Sequence, residues 1–300
     1  MNKTAAVVVT YNRKDILKKC IDSLLGQKNA SYDIVLINNA STDGTEEMIL
    51  NDYTMPEVKY FNTGANLGGA GGFEYGVGKA AELGYEYIWI MDDDTWPAPD
   101  ALYHLFEADK KLDGKWGFLS SVAYWTDGNV CKANRPKKSL FTFAKDSELS
   151  KDIVKIKMGS FVSMLVKGED VKNIGLPIGD YFIWTDDYEY CGRLSKKHPG
   201  YWVSESTVTH AMKNHTKANI ASDDISRMNR YECLFRNDVH CYRQQGIMGW
   251  FYIWFKDLYM TLKVILKGNG SKKIRINTIW NGYRKGLKYR PEIKKIVERV

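Results

Sequence analysis

Cysteine is scarce in this sequence and shows none of the spacings that would give it a structural role. The 300 residues include five cysteines, which form neither a C-x-x-C pair nor a metal-ligand cluster. An odd number without paired spacing argues against a disulfide framework and favours reduced thiols. The apolar run at positions 5–9 is also too short for the core of a signal peptide. We therefore expect a cytoplasmic protein.

Long hydrophobic segments, internal repeats and low-complexity tracts are missing as well. The most aromatic segment, which starts at Ile247, is interrupted by Lys256, Asp257 and Lys263. A spanning helix needs about 20 apolar residues, so these charges argue against a transmembrane segment. With 44% hydrophobic residues, the chain can nevertheless bury a sizeable core. The composition predicts one large α/β domain with an appendage.

Charge is unevenly distributed along the chain. From Ile247 onward, thirteen Lys and Arg residues stand against three Asp and Glu, a net charge of +10 in a chain whose total is +7. Together with Trp250, Phe251 and Trp254, this composition is typical of an interfacial helix attracted to anionic lipid. A helical subdomain that packs on the body or on another subunit explains the same composition. Both interpretations stay open, and the second one includes an oligomer.

The first hundred residues alternate between short β-branched runs and helix-like stretches. Runs at 7–9, 34–37, 58–61 and 87–91 are each followed by polar or glycine-rich residues, a rhythm that predicts βαβ units and a parallel sheet. Ligands gather at the carboxyl ends of parallel strands. The loops at 10–13, 38–43, 64–72 and 92–94 are therefore expected to converge.

The loop at 64–72 is rich in glycine but does not fit a dinucleotide-binding fingerprint. Counting G-x-G-x-x-G from Gly69 puts Glu74 at the third glycine position, and the loop follows the third strand instead of the first. Its glycines instead predict a close approach of the backbone to a ligand. A helix is predicted from Phe73 to Leu83.

The rest of the chain divides into a mixed region and a helical end. Strands are predicted at 117–124, 161–166 and 202–209, a helix at 186–197, and a mobile loop or lid at 126–157. From Ile220 onward the pattern is helical. We predict a catalytic domain at 1–219 and a helical region at 220–300 that contacts the membrane surface or an oligomer partner.

Three consecutive carboxyl groups, those of Asp92, Asp93 and Asp94, follow a buried apolar strand. Like charges this close raise one another's pKa unless a cation is shared among them. Mg²⁺ or Mn²⁺ suits such an oxygen-rich site and is commonly held together with substrate phosphates. A solvated acidic turn would leave the same pattern. A lone histidine such as His210 is usually structural, yet a neutral imidazole would suit a third ligand position.

A second acidic cluster contains Trp184, Asp186 and Asp187. A carboxylate is the kind of base that a sugar hydroxyl needs when it attacks in a single displacement. The neighbouring tryptophan offers a flat apolar face for a sugar ring. An ordinary helix start enriched in acids would look similar.

Five motifs in this order resemble family 2 glycosyltransferases, in the branch that contains bacterial galactofuranosyl- and rhamnosyltransferases. The motifs are VVVTYNR at 7–13, NNASTDGT at 38–45, NLGGAGGF at 66–73, MDDD at 91–94 and DDYEYCGR at 186–193. The resemblance spans roughly residues 5 to 245. It implies a GT-A fold, which has a Rossmann-like, mostly parallel central sheet flanked by helices, here with a C-terminal helical appendage.

The resemblance also assigns roles to single residues. Asp92 and Asp94 would hold Mn²⁺ or Mg²⁺ on the donor diphosphate, and His210 would complete its shell. Asp187 would be the catalytic base, since the family pattern places an acid two residues on and an arginine further along. The acceptor would meet Trp184 and Asp186. The nucleotide pocket would be lined by Thr10, Tyr11, Arg13, Asn39, Asn66 and Asp93. Many relatives carry Asp where this chain has Asn38 and Asn39, a departure that concerns the contact with uracil or ribose, although Asn occurs in the galactofuranosyl-like branch.

The implied activity is inverting transfer of galactofuranose from UDP-galactofuranose to a hydroxyl of a saccharide acceptor. A lipid-linked acceptor in cell-surface polysaccharide assembly would put the enzyme on the inner face of the cell membrane. A rhamnosyltransferase that uses dTDP-rhamnose is the near alternative, and a noncatalytic saccharide-binding protein is another. A nucleotidyltransferase should carry a glycine-rich basic phosphate loop after the first strand, where this chain has 10–13. Two acidic clusters argue against nucleic acid as a partner.

Overall fold

The computed structural model describes residues 3–212 and 218–296. The strands are β1 (Thr4–Thr10), β2 (Asp33–Asn38), β3 (Val58–Asn62), β4 (Tyr87–Asp92), β5 (Thr95–Pro97), β6 (Phe118–Tyr124), β7 (Ile153–Ile156), β8 (Met164–Lys167) and β9 (Gly200–His210). The α-helices are α1 (Lys14–Leu25), α2 (Thr45–Asp52), α3 (Gly68–Glu82), α4 (Ala101–Lys111), α5 (Gly168–Ile174), α6 (Asp186–Leu194), α7 (Met228–Arg243), α8 (Ile247–Lys267) and α9 (Lys272–Lys288).

These strands form one sheet in the order β3-β2-β1-β4-β8-β6-β9-β5, and β7 pairs with the first residues of β9. Strands β1 to β4 are parallel, β8 runs against both of its neighbours, and β6 and β9 are parallel to each other. Strands β1, β2, β4 and β9 therefore end at the same edge of the sheet. The predicted α/β architecture with a central sheet is confirmed.

Strand β1 shows why the sheet is covered on both faces. All seven of its residues are buried, as expected for a parallel strand with helices on either side. Ala5, Val7 and Val9 contribute to a core with α3, whereas Ala6 and Val8 contribute to a second core with α1 and α4. The alternation of side chains thus divides a continuous apolar run between two layers of helices.

Helix α3 begins at Gly68, within the glycine-rich stretch that was predicted to be a loop up to Gly72. The helix lies so close to β1 that side chains do not fit. A Cβ atom on Gly72 would come within 2.3 Å of Val9 Cγ1, and one on Gly76 within 2.6 Å of Val7 Cγ1. The prediction of a helix start at Phe73 was wrong because glycine here serves packing and not loop flexibility.

The sequence predicts one continuous mobile loop or lid at 126–157, but the structure contains regular elements there. A 3₁₀ turn at Asp146–Ser150 is followed by β7, which pairs with β9. Lys137 is buried and donates hydrogen bonds to the hydroxyls of Tyr242 at 2.9 Å and Tyr252 at 3.1 Å. The segment is therefore attached to both α7 and α8. The predicted strand at 161–166 begins only at Met164.

The C-terminal helices pack around a small core of their own. It contains Ile220, Tyr231, Phe235, Val264 and Ile279. None of the helices in the described ranges combines the length and hydropathy that crossing a bilayer requires. The division of the chain at residue 220 stays a prediction.

Helix α9 approaches α7 closely because it presents glycine at the crossing. A Cβ atom on Gly282 would lie 2.7 Å from the carbonyl oxygen of Glu232, and one on Gly286 would lie 2.6 Å from Val239 Cβ. Neither neighbour can move without a shift of the α7 backbone.

We predict that Gly282→Ala lowers the free energy of unfolding by roughly 1–3 kcal/mol, the usual cost of an added methyl group in a packed contact. Gly69→Ala is the matched control, since a Cβ atom there has no neighbour within 4 Å and alanine favours the helix. Urea unfolding followed by circular dichroism measures both. Equal stability of the two variants would contradict the close packing.

Candidate metal and acceptor site

The carboxylates at the end of β4 meet a histidine at the end of β9. Strand β5 turns back from β4 and pairs with β9 so that Thr95 lies opposite His210. The backbone NH of Ala211 donates to the carbonyl of Asp94 at 2.8 Å. As a result, one ligand atom each from Asp92, Asp94 and His210 lies within 4.8 Å of the others. The three predicted ligands are brought together by this short strand pairing.

The ring of His210 is oriented by a residue from the 126–157 segment. Its Nδ1 lies 2.7 Å from Oδ1 of Asn134, and its Nε2 lies 3.0 Å from Oδ1 of Asp94. Because an amide oxygen only accepts, Nδ1 carries the proton in this contact. Nε2 is thus directed to the carboxylates, the arrangement by which metal-binding histidines are held. Asn134 could not be identified from sequence, since nothing in its polar segment marks it.

The electrostatics of the three side chains are strongly coupled. Burial raises the pKa of Asp92 to about 7, and the charge of Asp94 adds to this shift. For Asp94 burial works in the same direction, but the hydrogen bond and positive charge of His210 outweigh it and lower its pKa to about 2. Burial opposes the charge on His210, yet its bond to Asp94 raises its pKa to about 10. At neutral pH the histidine therefore holds a proton where a cation could sit.

The middle carboxylate of the triplet faces away from this cluster. Thr10 Oγ1 donates to Asp93 Oδ2 at 2.7 Å, and Arg13 Nη1 lies 3.1 Å from Asp93 Oδ1. The same Arg13 nitrogen lies 2.7 Å from Asp94 Oδ2. Although burial raises the pKa of Asp93 to about 6, this pair of partners satisfies both of its oxygens. Asp93 thus joins β1 to β4, with the half-exposed Arg13 at the rim.

The other residues predicted for the nucleotide pocket lie on neighbouring loops. Tyr11 is exposed, whereas Asn39 is buried and its amide donates to the carbonyl of Gly68 at 2.9 Å. The side-chain oxygen of the exposed Asn66 accepts from the backbone NH of Gly68 at 2.9 Å. In this structure the two asparagines hold the start of α3. Their predicted contact with a nucleotide stays a prediction.

Asp187 lies half-buried in the first turn of α6. Burial raises its pKa well above the usual range, the neighbouring Asp186 adds to the shift, and so does the charge of Asp92. The charge of Asp92 thus acts across space on Asp187. Asp186 is more deeply buried, and its pKa is raised to about 6 by burial. Asp187 therefore lies within electrostatic range of the cluster of Asp92, Asp94 and His210.

Glu189 and Arg193, the acid and arginine of the same motif, form a buried ion pair within α6. Arg193 Nε lies 2.9 and 3.0 Å from the two Glu189 carboxylate oxygens. The guanidinium also donates to the carbonyls of Ile174 and Leu176, at 3.0 and 2.8 Å. This part of the motif fastens α6 to the end of α5 and to the segment that follows it.

The loop that leads into α6 has an unusual backbone. Phe182, Trp184 and Thr185 all have positive φ angles, between 63° and 71°. Residues other than glycine adopt this conformation at a cost of about 1–3 kcal/mol each, and such positions concentrate at functional sites. The ring of Trp184 packs against Tyr231 and under the guanidinium of Arg227. One face of the predicted sugar platform is thus already occupied by α7 and the turn before it.

Two polar residues in the middle of α7 hold this loop in place. The amide of Asn237 is fully buried and lies 3.0 Å from each of the carbonyls of Tyr181, Ile183 and Trp184. Asp238 accepts a hydrogen bond from the Thr185 hydroxyl at 2.9 Å and pairs with Lys256. Sequence alone does not identify them, although two polar residues on the buried side of an amphipathic helix are a signal that could have been followed.

Comparison with known proteins finds similar proteins among glycosyltransferases. Residues 5–132 match the family model "Glycosyl transferase family 2". The chain is 34% identical over 203 residues to galactofuranosyltransferase GlfT1 of Mycolicibacterium smegmatis, a match that covers 63% of this chain and 64% of that protein. It is 38% identical over 100 residues to abequosyltransferase RfbV of Salmonella typhimurium, covering 32% of this chain and 29% of that protein. The matched parts thus span less than two thirds of these relatives' lengths.

Among solved structures, the fold is similar to that of GalNAc-T7, determined with UDP, GalNAc and Mn²⁺. The TM-score is 0.65 at 15% identity, over 96% of this chain and 56% of that one. The fold is thus that of GT-A glycosyltransferases, and residues 5–132 are similar to glycosyl transferase family 2, as the motifs predict. Its sequence relatives include galactofuranosyltransferases.

The charge state of the cluster predicts that a divalent cation binds in exchange for a proton. With a pKa of about 10, His210 is protonated at neutral pH and must lose its proton to become a ligand. Binding of Mn²⁺ should therefore release about one proton or more, and affinity should rise with pH. Calorimetry in buffers of different ionisation enthalpy measures this release. His210→Asn should reduce it, whereas heats independent of the buffer in the unaltered protein would contradict the prediction.

Proposed function

We propose that this protein is a metal-dependent inverting glycosyltransferase that moves a sugar from a nucleoside diphosphate to a saccharide hydroxyl. The observation that carries the proposal is the cluster of Asp92, Asp94 and His210 at the carboxyl edge of the sheet, with Asp187 within electrostatic reach. The similarity to family 2 and the galactofuranosyltransferase relatives support the same activity.

The residues of the cluster fit a divalent cation. Two carboxylates and one imidazole form a donor set that suits Mn²⁺, and Mg²⁺ accepts the oxygen ligands. The raised pKa of Asp92 shows the cost of burying these acids together, a cost that a cation would remove. Bound there, the cation would offset negative charge on the leaving diphosphate. The chain's own contribution is to fix the three side chains through the β5–β9 pairing and Asn134.

Asp187 is proposed as the base that takes the acceptor proton. Burial raises the pKa of its carboxyl, which makes it a stronger base than an exposed aspartate. As the acceptor oxygen bonds to the anomeric carbon, its proton passes to the Asp187 carboxylate. The bond to the diphosphate breaks on the opposite side, so the configuration inverts.

For the donor we propose UDP-galactofuranose, with dTDP-rhamnose as the alternative. The similarity to GlfT1 favours the first, while the fold neighbours do not distinguish sugars. The proposed nucleotide contacts are Thr10, Tyr11, Arg13, Asn39, Asn66 and Asp93. Trp184 and Asp186 are proposed to contact the acceptor, which we take to be a saccharide linked to lipid and presented at the inner face of the cell membrane.

Turnover of nucleotide sugars tests the proposal directly. A panel that includes UDP-galactofuranose and dTDP-rhamnose is assayed for binding and slow donor hydrolysis, with Mn²⁺ and with chelator. Metal-dependent turnover of one donor establishes the class and names the sugar. Binding of free saccharide without any nucleotide sugar would instead favour a noncatalytic saccharide-binding protein.

Asp187→Asn should abolish transfer while leaving donor affinity within about twofold, because the base acts on the acceptor and not on the nucleotide. We expect a loss in kcat of about 10²–10⁴-fold, the usual contribution of a general base. Asp113→Asn is the control, since the side chain of Asp113 is 85% exposed and pairs with Lys115. Unchanged turnover in Asp187→Asn would remove this residue from the role.

Asp94→Ala should weaken donor binding in the presence of Mn²⁺ and abolish the difference between Mn²⁺ and chelator. The physical reason is that the variant removes one cation ligand and the partner of both His210 and Arg13. Calorimetric titration with UDP, with and without Mn²⁺, measures this. Full retention of metal-dependent binding would move the cation elsewhere.

A further inference from the structure

Helix α8 exposes its apolar side. The outward row contains Phe251, Trp254, Phe255, Tyr259, Leu262 and Leu266, each between 47% and 77% exposed, and we call it the α8 face. Helices of globular proteins normally turn such a stripe to the core, and a large exposed apolar surface marks an interaction site. We propose that the α8 face docks on an anionic lipid surface and that lipid-anchored acceptors reach the site from that side. The second half rests on the proposed function.

The opposite side of α8 packs against the protein. Its buried residues include Gly249, Ile253, Asp257 and Val264, and Lys256 is paired with Asp238 of α7. Gly249 cannot turn outward cheaply, because a Cβ atom there would overlap the carbonyl of Tyr242. Most of the large apolar residues of α8 therefore face outward, whereas Gly249 and Asp257 face the protein together with Ile253 and Val264.

The apolar surface continues onto the 126–157 segment. Phe141 is 61% exposed, and its ring lies 5.5 Å from that of Tyr252 on α8, at an interplanar angle of 72°. An aromatic residue on a separate loop thus extends the α8 face. Aromatic rings combine an apolar body with affinity for the headgroup level of a bilayer.

Charge selects anionic lipid over a second copy of the chain as the occupant. Between residues 258 and 291 the sequence contains nine Lys and Arg residues and no Asp or Glu. Lys267, Lys272 and Lys273 are exposed at the end of α8 and the start of α9. Two copies that met through this face would bring the same cations together, whereas an anionic leaflet attracts them. Since no described helix can span a bilayer, α8 would lie in the interface plane.

Two contacts fix the α8 face relative to the catalytic site. Lys256 of α8 pairs with Asp238, which accepts the hydrogen bond from Thr185 directly before the helix of Asp187. Tyr252 of α8 accepts from Lys137 of the segment that orients His210 through Asn134. A docked α8 therefore holds the acceptor side of the site at a set distance from the lipid.

Vesicle flotation of the full chain tests the docking without any assay of activity. We expect the chain to float with phosphatidylcholine vesicles that contain phosphatidylglycerol, and less with phosphatidylcholine alone. The double variant Phe251→Ser/Phe255→Ser should lose most of this binding. Lys272→Gln/Lys273→Gln should lower the partition coefficient on anionic vesicles by about tenfold or more and leave neutral vesicles unaffected. Leu50→Ser, at a 56% exposed leucine of α2, is the control and should float like the unaltered chain.

The same variants separate the docking from its consequence and from the alternative occupant. With a short soluble acceptor, Phe251→Ser/Phe255→Ser should turn over normally, and only a lipid-anchored acceptor in vesicles should react more slowly. Equal flotation of all variants would overturn the docking. The docking would also be overturned if the unaltered chain bound no vesicles and Phe251→Ser/Phe255→Ser changed it from dimer to monomer in sedimentation, because the α8 face would then join two copies. Flotation without turnover of any donor would refute the proposed function and leave the docking intact.

Discussion

Three carboxyl groups at the end of a buried strand cannot all be charged without compensation, and the structure around them is arranged to supply it. Asp93 is bonded to Thr10 and Arg13, and Asp94 is bonded to Arg13 and His210. For Asp92 the described residues supply no such bond, and burial raises its pKa to about 7. The remaining demand for positive charge lies between Asp92, Asp94 and His210. The pairing of β5 with β9, which brings His210 to this place, is therefore the constraint on which the proposed chemistry depends.

The acceptor side of the site depends on a different part of the chain. The loop before α6 contains three non-glycine residues at positive φ, and the side-chain amide of Asn237 from α7 donates hydrogen bonds to its carbonyls. Strain of this kind persists only where the surroundings determine the conformation. The C-terminal helices thus act on the position of Asp187, although none of their residues lies in the family motifs. Through the ion pair between Lys256 and Asp238, α8 also contributes to the position of this loop.

The sequence predicts those parts of the fold in which a local pattern and its physical cause coincide. Runs such as 7–9 and 87–91 are strands because they are apolar and β-branched, and the acidic triplet follows one of them. The glycine-rich stretch predicts a helix that starts only at Phe73, whereas Gly72 and Gly76 both lie within α3 and permit its contact with β1. The chemistry of imidazole makes His210 one possible third ligand, and the family resemblance assigns it that role. Its position depends on pairing between strands that are distant in sequence.

The residues that orient the site could not be predicted from the sequence for a related reason. Asn134 and Asn237 look like ordinary polar residues, and each matters only through a partner on another element. The opposite holds for Glu189 and Arg193, which belong to a recognisable motif but form a structural pair inside α6. A motif thus indicates which residues belong together, while the contacts decide which of them face the chemistry.

The most direct test of the central claim is electron paramagnetic resonance of Mn²⁺ added to the protein, alone and with UDP. Bound Mn²⁺ should show coupling to one imidazole nitrogen, which His210→Ala removes, and coupling to phosphorus when UDP is present. In the double variant Asp92→Ala/Asp94→Ala, phosphorus coupling should be lost. If this variant keeps phosphorus coupling and loses only the nitrogen coupling, the account is contradicted, since the cation would then contact the diphosphate without the carboxylates. Mn²⁺ that stays free in the presence of UDP would contradict it outright.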